Sequence, residues 1–126
     1  MDLYSEIILD YFKNPRNKGP LEDATSSATE LNPLCGDKIT VHLKANKEGK
    51  IEKISYEGEG CAISQAAISM LTEILAGKTI QETKEIDNQV VYDMLGVQIS
   101  PGRVKCALLG LVTAKKAAIL NQYKDA

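Results

Sequence analysis

Tryptophan is absent from this chain and phenylalanine occurs once, so no large aromatic cluster can form its core. Ile, Leu, Val and Ala have to fill it instead. Hydrophobic residues make up 44% of the 126 positions and charged residues 25%, which is a globular balance rather than a disordered one. That length suffices for one domain with its own core, and no repeat or linker divides it, so 1–126 reads as a single domain. Long apolar runs are missing too; none approaches the ~20 residues that a membrane-spanning helix needs. Charge of one sign is not in excess. The formal net charge is -2, with both signs scattered, so no surface follows a phosphate backbone. Neither nucleic acid nor membrane is therefore an expected partner. The opening Met-Asp-Leu-Tyr-Ser-Glu has no basic region ahead of an apolar stretch and no arginine, as secretory or mitochondrial leaders do, and a cytoplasmic location is expected.

Cysteine is scarce as well. Three is an odd number, which disfavours a complete disulfide framework. In a reducing cytoplasm such thiols stay free, and they serve as metal ligands, as nucleophiles or simply as small buried residues. Their positions along the chain decide between these roles.

Leu3, Ile7, Ile8, Tyr11 and Phe12 recur near helical spacing, which predicts an amphipathic helix over 2–13, stopped by Asn14-Pro15. The small polar residues of 22–31 suit a thin edge strand. In 38–45, Ile39, Val41, Leu43 and Ala45 alternate with Lys38, Thr40, His42 and Lys44, the period of a half-buried strand. Asn46-Lys47-Glu48-Gly49 turns the chain, and 50–57 returns with Ile54 and Tyr56 on one face. After Gly58-Glu59-Gly60 the period becomes helical, with a stripe of Ile63, Ala66, Ala67, Met70, Leu71, Ile74 and Leu75 ending at Gly77. Two short helices are predicted in 79–97, with Val90, Val91, Met94 and Leu95 inward. Ser100-Pro101 offers a cap and a first-turn proline for a long helix to about Tyr123. Its stripe is predicted as Val104, Leu108, Leu111, Val112 and Ile119. The fold class is α+β: a small antiparallel sheet of about three strands, covered by an N-terminal helix and a C-terminal set of helices.

Cys35 lies in the turn entering the hairpin and Cys61 just past its return arm. Equal arms bring the chain back to its starting level, so both cysteines belong at one end of the sheet. Cys61 opens a helix and Cys106 lies near the start of the last one, where unpaired N–H groups and the helix dipole favour a thiolate. Asp37, two residues after Cys35, reads equally well as a turn residue or as an oxygen ligand. Three sulfurs and one oxygen suit tetrahedral Zn²⁺ or the two irons of a [2Fe–2S] cluster, and the oxygen makes such a site exchangeable. His42, the only histidine, alternates onto the polar face of its strand and reads as a surface residue.

Cys35-Gly36-Asp37, Gly58-Glu59-Gly60-Cys61-Ala62-Ile63-Ser64 and Arg103-Val104-Lys105-Cys106, in that order, resemble the IscU/NifU/SufU iron–sulfur cluster scaffold family. Tyr4-Ser5-Glu6 and Asn14-Pro15-Arg16-Asn17 resemble its N-terminus. The resemblance implies a scaffold rather than an enzyme. It would receive sulfur from a cysteine desulfurase of the IscS/SufS type and iron from a donor, assemble a labile [2Fe–2S] cluster and deliver it to apo iron–sulfur proteins. It implies Cys35, Asp37, Cys61 and Cys106 as ligands of the cluster, or of Zn²⁺ in the same site, in a monomer or a cluster-linked homo-oligomer. Cys106 is the first candidate to accept persulfide sulfur, with Lys105 beside it to activate the thiolate or attract the persulfide, and Cys35 is the second. A desulfurase contact through the N-terminal helix and Arg16 is also implied. The wording around Cys61 and Cys106 is SufU-like, and SufU members include zinc-dependent sulfur acceptors. The 45 positions from Cys61 to Cys106, without the insertion usual in SufU, look like IscU spacing.

Overall fold

The computed structural model describes residues 3–34 and 36–124. Helix α1 (Leu3–Lys13) leads to strand β1 (Ser26–Asn32), followed by β2 (Asp37–Ala45) and β3 (Ile51–Glu59). Helices α2 (Ala62–Leu75), α3 (Ile80–Lys84), α4 (Asn88–Leu95) and α5 (Val104–Lys124) complete the chain. The three strands form one antiparallel sheet in the order β1-β2-β3. The α+β expectation is met, and the hairpin arms run one or two residues further toward Cys61 than the alternation indicated.

Alternation decides which sheet face is buried. Ala28, Ile39, Val41, Leu43, Ile54 and Tyr56 point into the core, where α2 and α5 cover them. Ser27, Thr29, Thr40, His42 and Glu57 occupy the opposite, open face and pair across strands. Ser27 Oγ lies 2.7 Å from His42 Nδ1, and His42 Nε2 lies 2.8 Å from Glu57 Oε2. His42 thus serves as a cross-strand tie on the polar face. The outer edge of β3 is partly closed by the 16–19 loop, where Tyr56 N–H donates to Asn17 O and Gly19 N–H to Tyr56 O.

Two helices depart from the sequence reading. α2 was expected to bury one stripe, yet Ser64 through Thr72 are all buried, because α1, α5 and β3 surround it. Its buried hydroxyls bond both within the helix and to the 16–19 loop: Thr72 Oγ1 donates to Ser69 O and accepts from Asn17 Nδ2, and Ser69 Oγ accepts from Arg16 N–H. In α5 the predicted stripe holds at Leu111, which is buried, and at half-buried Val104 and Leu108, but fails at Val112, which is 51% exposed, and Ile119, 42%. Beside Leu111 the buried face carries Ala107, Leu109, Ala114, Ala117 and Ala118. The reason is close approach. At Gly110 a Cβ would come within 2.9 Å of Ile68 Cβ, so the α2–α5 contact admits only small residues. Size, rather than hydropathy, selects this face. Ser100-Pro101 opens a 3-10 turn, Pro101–Arg103, without a side-chain cap, and α5 begins after it. In α4, Val91 and Leu95 are buried and Met94 packs against them from a half-buried position. No described helix is long and apolar enough to cross a membrane.

Candidate metal centre

The register of the sheet builds one pole of the molecule. Asn32 at the end of β1 pairs with Asp37 at the start of β2, and Lys38 pairs with Glu59 at the end of β3. One residue later Gly60 turns the chain into α2 with a φ of +143°, and a Cβ there would fall on the Asp37 carboxylate. Only glycine allows the two segments to close this tightly. Cys61 follows as the N-cap of α2 with no side-chain cap bond, so its sulfur is not used to hold the helix. Its backbone N–H donates to Asp37 Oδ1 at 2.9 Å.

Asp37 is 1% exposed, and its second oxygen, Oδ2, is buried without a hydrogen-bond partner among the described residues. A buried carboxylate oxygen left unpaired is costly, and such an atom calls for an explanation. Cys106, in the first turn of α5, supplies part of one. The carboxylate of Asp37 and the sulfurs of Cys61 and Cys106 lie within 4.8 Å of one another. Ligands about 2.3 Å from a common tetrahedral ion are separated by ~3.8 Å, so small side-chain movements close these donors on one centre. Two soft sulfurs with a hard oxygen fit zinc or iron. The orphaned oxygen fits a cation better than it fits bulk packing. Neither Cys61 nor Cys106 forms a disulfide; Cys61 is half-buried and Cys106 fully buried.

Similarity agrees with this geometry. The description "NifU-like N terminal domain" fits residues 3–126. The chain belongs to that family. Within the NifU-like family it is 38% identical to iron–sulfur cluster assembly scaffold protein IscU 1 of Archaeoglobus fulgidus over 122 residues, covering 97% of this chain and 78% of that protein. It is 36% identical to the zinc-dependent sulfurtransferase SufU of Bacillus subtilis over 132 residues, covering 90% of this chain and 88% of SufU. A crystal structure of a SUF-system cluster assembly scaffold protein from Fervidobacterium islandicum superposes with a TM-score of 0.77 at 34% identity, over 91% of this chain and 96% of the other.

Cys35 lies outside the described residues; its sequence neighbours Leu34 and Gly36 are both exposed. Lys105 is exposed and lines a groove with Leu31, Leu34, Leu108 and Val112, on the outer side of the helix turn that buries Cys106. Arg16 is already engaged: it pairs with Asp10 at 2.7 Å and stacks on Tyr11 at 4.0 Å. The guanidinium beside Asp10 holds that carboxyl below its ordinary range. Sequence reading passed over Asn32 altogether. Its amide Nδ2 lies 3.6 Å from Cys106 Sγ, both groups being buried. The only available signal was a polar residue closing an edge strand three positions before Cys35.

Proposed function

We propose that this chain is a scaffold on which a [2Fe–2S] cluster is assembled and from which it passes to apo-proteins. Sulfur would come from a cysteine desulfurase and iron from a donor. The observation that carries this reading is the meeting of Asp37, Cys61 and Cys106 at one pole, with a carboxylate oxygen left unpaired there. Cys35, by its position two residues before Asp37, completes a set of three thiolates and one carboxylate. The cluster is cargo rather than a resident cofactor, so the ligand set is asymmetric by design: the three sulfurs retain it and the weaker oxygen releases it. Free thiols of this kind require a reducing compartment, in keeping with a cytoplasmic role.

Sulfur entry is assigned to Cys35 rather than to Cys106. Cys106 has no exposed surface, so an external persulfide cannot reach it in this conformation. Cys35, between exposed neighbours, would attack the outer sulfur of the desulfurase persulfide as a thiolate. A new S–S bond forms on Cys35, the old one breaks, and the desulfurase cysteine leaves as thiolate. Lys105, exposed beside the pole, supplies a positive charge to draw in that anion.

A second reading, a zinc-dependent sulfurtransferase using the same four ligands, is favoured by the SufU relative. Against it, the SufU match spans 132 positions while covering only 90% of this chain, so part of SufU has no counterpart here, whereas the IscU 1 match is nearly free of gaps. Anaerobic incubation with ferrous iron, cysteine and a desulfurase separates the two. Appearance of a [2Fe–2S] absorption and Mössbauer signal, one that Asp37→Ala retains longer than the unaltered protein, supports the scaffold. Persistent zinc with no cluster, together with faster desulfurase turnover in the presence of the zinc form, supports the transferase.

A further inference from the structure

We infer that Asn32 is a positioning residue that donates a hydrogen bond to the Cys106 sulfur when that sulfur is a metal-bound thiolate. The inference rests on the metal-site reading above and concerns a residue outside the ligand set. Asn32 is 6% exposed, at the end of β1, and its Nδ2 points at Cys106 Sγ across 3.6 Å of interior. A neutral thiol is a weak acceptor, so burying an amide against one returns little of the desolvation cost. A thiolate is a different partner; charge-assisted bonds are roughly twice as strong as neutral ones, which makes the same contact favourable.

Shape does not require the amide. Asn32 shares its groove with Leu31, Leu34, Leu108, Leu109 and Val112, with Glu30 and Lys105 at its polar side, so its surroundings are mainly apolar and a leucine has the same number of heavy atoms. The contact of the amide is with the Cys106 sulfur. Its placement also serves the ligand set: through its backbone position Asn32 pairs with Asp37, and through its side chain it reaches Cys106. One residue thus links the start of β2 to the first turn of α5. Partners of this kind orient a ligand and withdraw electron density from its sulfur.

Cobalt(II) titration of the full-length, fully reduced chain tests this with a readout that packing alone does not move. In the unaltered protein cobalt(II) gives a thiolate-to-metal charge-transfer band, and Cys106→Ser defines the share of it due to Cys106. Asn32→Leu and Asn32→Ala should shift that share to lower energy, because the thiolate loses a donor that stabilises it. They should also weaken cobalt binding by roughly tenfold, the lower end for lost outer partners of metal ligands. The two variants differ in size, and whichever keeps the native far-UV circular dichroism decides. A band unmoved in a folded variant overturns the role of Asn32 and leaves the metal site standing. Absence of any thiolate-to-cobalt band in the unaltered protein overturns both.

Discussion

The two ends of the β2–β3 hairpin are made of similar material and treat it differently. At the turn end the backbone is held by a dense set of hydrogen bonds. Asn46 Oδ1 accepts from Glu48 N–H and Lys50 N–H, Gly49 N–H donates to Asn46 O, and Ile80 N–H donates to Gly49 O. Ile51 N–H reaches Lys78 O, so the turn is knitted to the α2–α3 linker. At the pole, Asp37 Oδ2 and Gln65 Oε1 are buried without partners among the described residues. Cys61 sits at a helix start without capping it. One end commits its hydrogen bonds to the fold, and the other holds two buried acceptor oxygens in reserve. Stability withheld at a site is the usual companion of ligand binding.

The largest test of that contrast is metal itself. Zinc at a thousand times its dissociation constant should stabilise the native chain by about 4 kcal/mol, since it binds the folded pole and not the unfolded chain. The rise in thermal midpoint should vanish in Cys61→Ser and persist in Asn46→Ala. An equal gain in Cys61→Ser would mean that the metal binds elsewhere.

Glycine substitutions come next. Gly60 and Gly49 both have positive φ, +143° and +81°. At Gly49 a Cβ would meet nothing within 4 Å, whereas at Gly60 it would strike Asp37. In metal-free protein Gly49→Ala should cost about 1–2 kcal/mol of backbone strain. Gly60→Ala should cost on the order of 3 kcal/mol or more, because overpacking adds to the strain. Urea denaturation measures both, and equal losses would refute the close approach at the pole.

Matched polar substitutions should then differ in sign. Asn46→Ala removes an acceptor that two backbone N–H groups use and should destabilise the metal-free chain by about 1–2 kcal/mol. Asp37→Asn keeps the acceptor for Cys61 N–H and removes an uncompensated buried charge, so metal-free stability should rise by roughly 1 kcal/mol. Urea midpoints that fall for both variants would erase the contrast between the ends.

The parts of this picture that sequence could supply are those with a short period. Alternation from Ile39 to Ala45 and the equal arms around Asn46–Gly49 predict Cys35 and Cys61 at one end of the sheet; Cys35 lies outside the described residues, and it is Asp37, two positions on, that is seen beside Cys61. The register and the Cys61 N–H to Asp37 bond agree with that placement. Cys106 could not be positioned this way. It comes to the pole through the α2–α5 contact, which depends on Gly110 and a row of alanines that a hydropathy stripe does not register. The same blindness drew Val112 and Ile119 into the predicted stripe of α5, although both are exposed, while Leu111 was placed correctly. Asn32 was invisible for another reason: its contact with Cys106 spans 74 positions and has no periodic signature.

The smallest effect lies at the turn end and depends on pH. Thr79 and Glu82 form a reciprocal cap on α3, with Glu82 N–H donating to Thr79 Oγ1 at 3.0 Å and Thr79 N–H to Glu82 Oε1 at 2.9 Å. The bond from the Thr79 backbone, followed by that from its side chain, holds the Glu82 carboxyl below the ordinary glutamate value of 4.5. A carboxyl lowered in the folded state adds stability that is complete above its unfolded value and is lost as pH falls through its folded one. Glu82→Gln should therefore be less stable than the unaltered chain at neutral pH. The gap between their urea midpoints should close as pH drops below 4.5, once both side chains are neutral. Because the cap sits where Ile80 N–H meets Gly49 O, this loss should leave zinc binding at the far pole unchanged. A change in zinc affinity in Glu82→Gln would show that the two ends of the hairpin are coupled, and the contrast drawn between them would then be wrong.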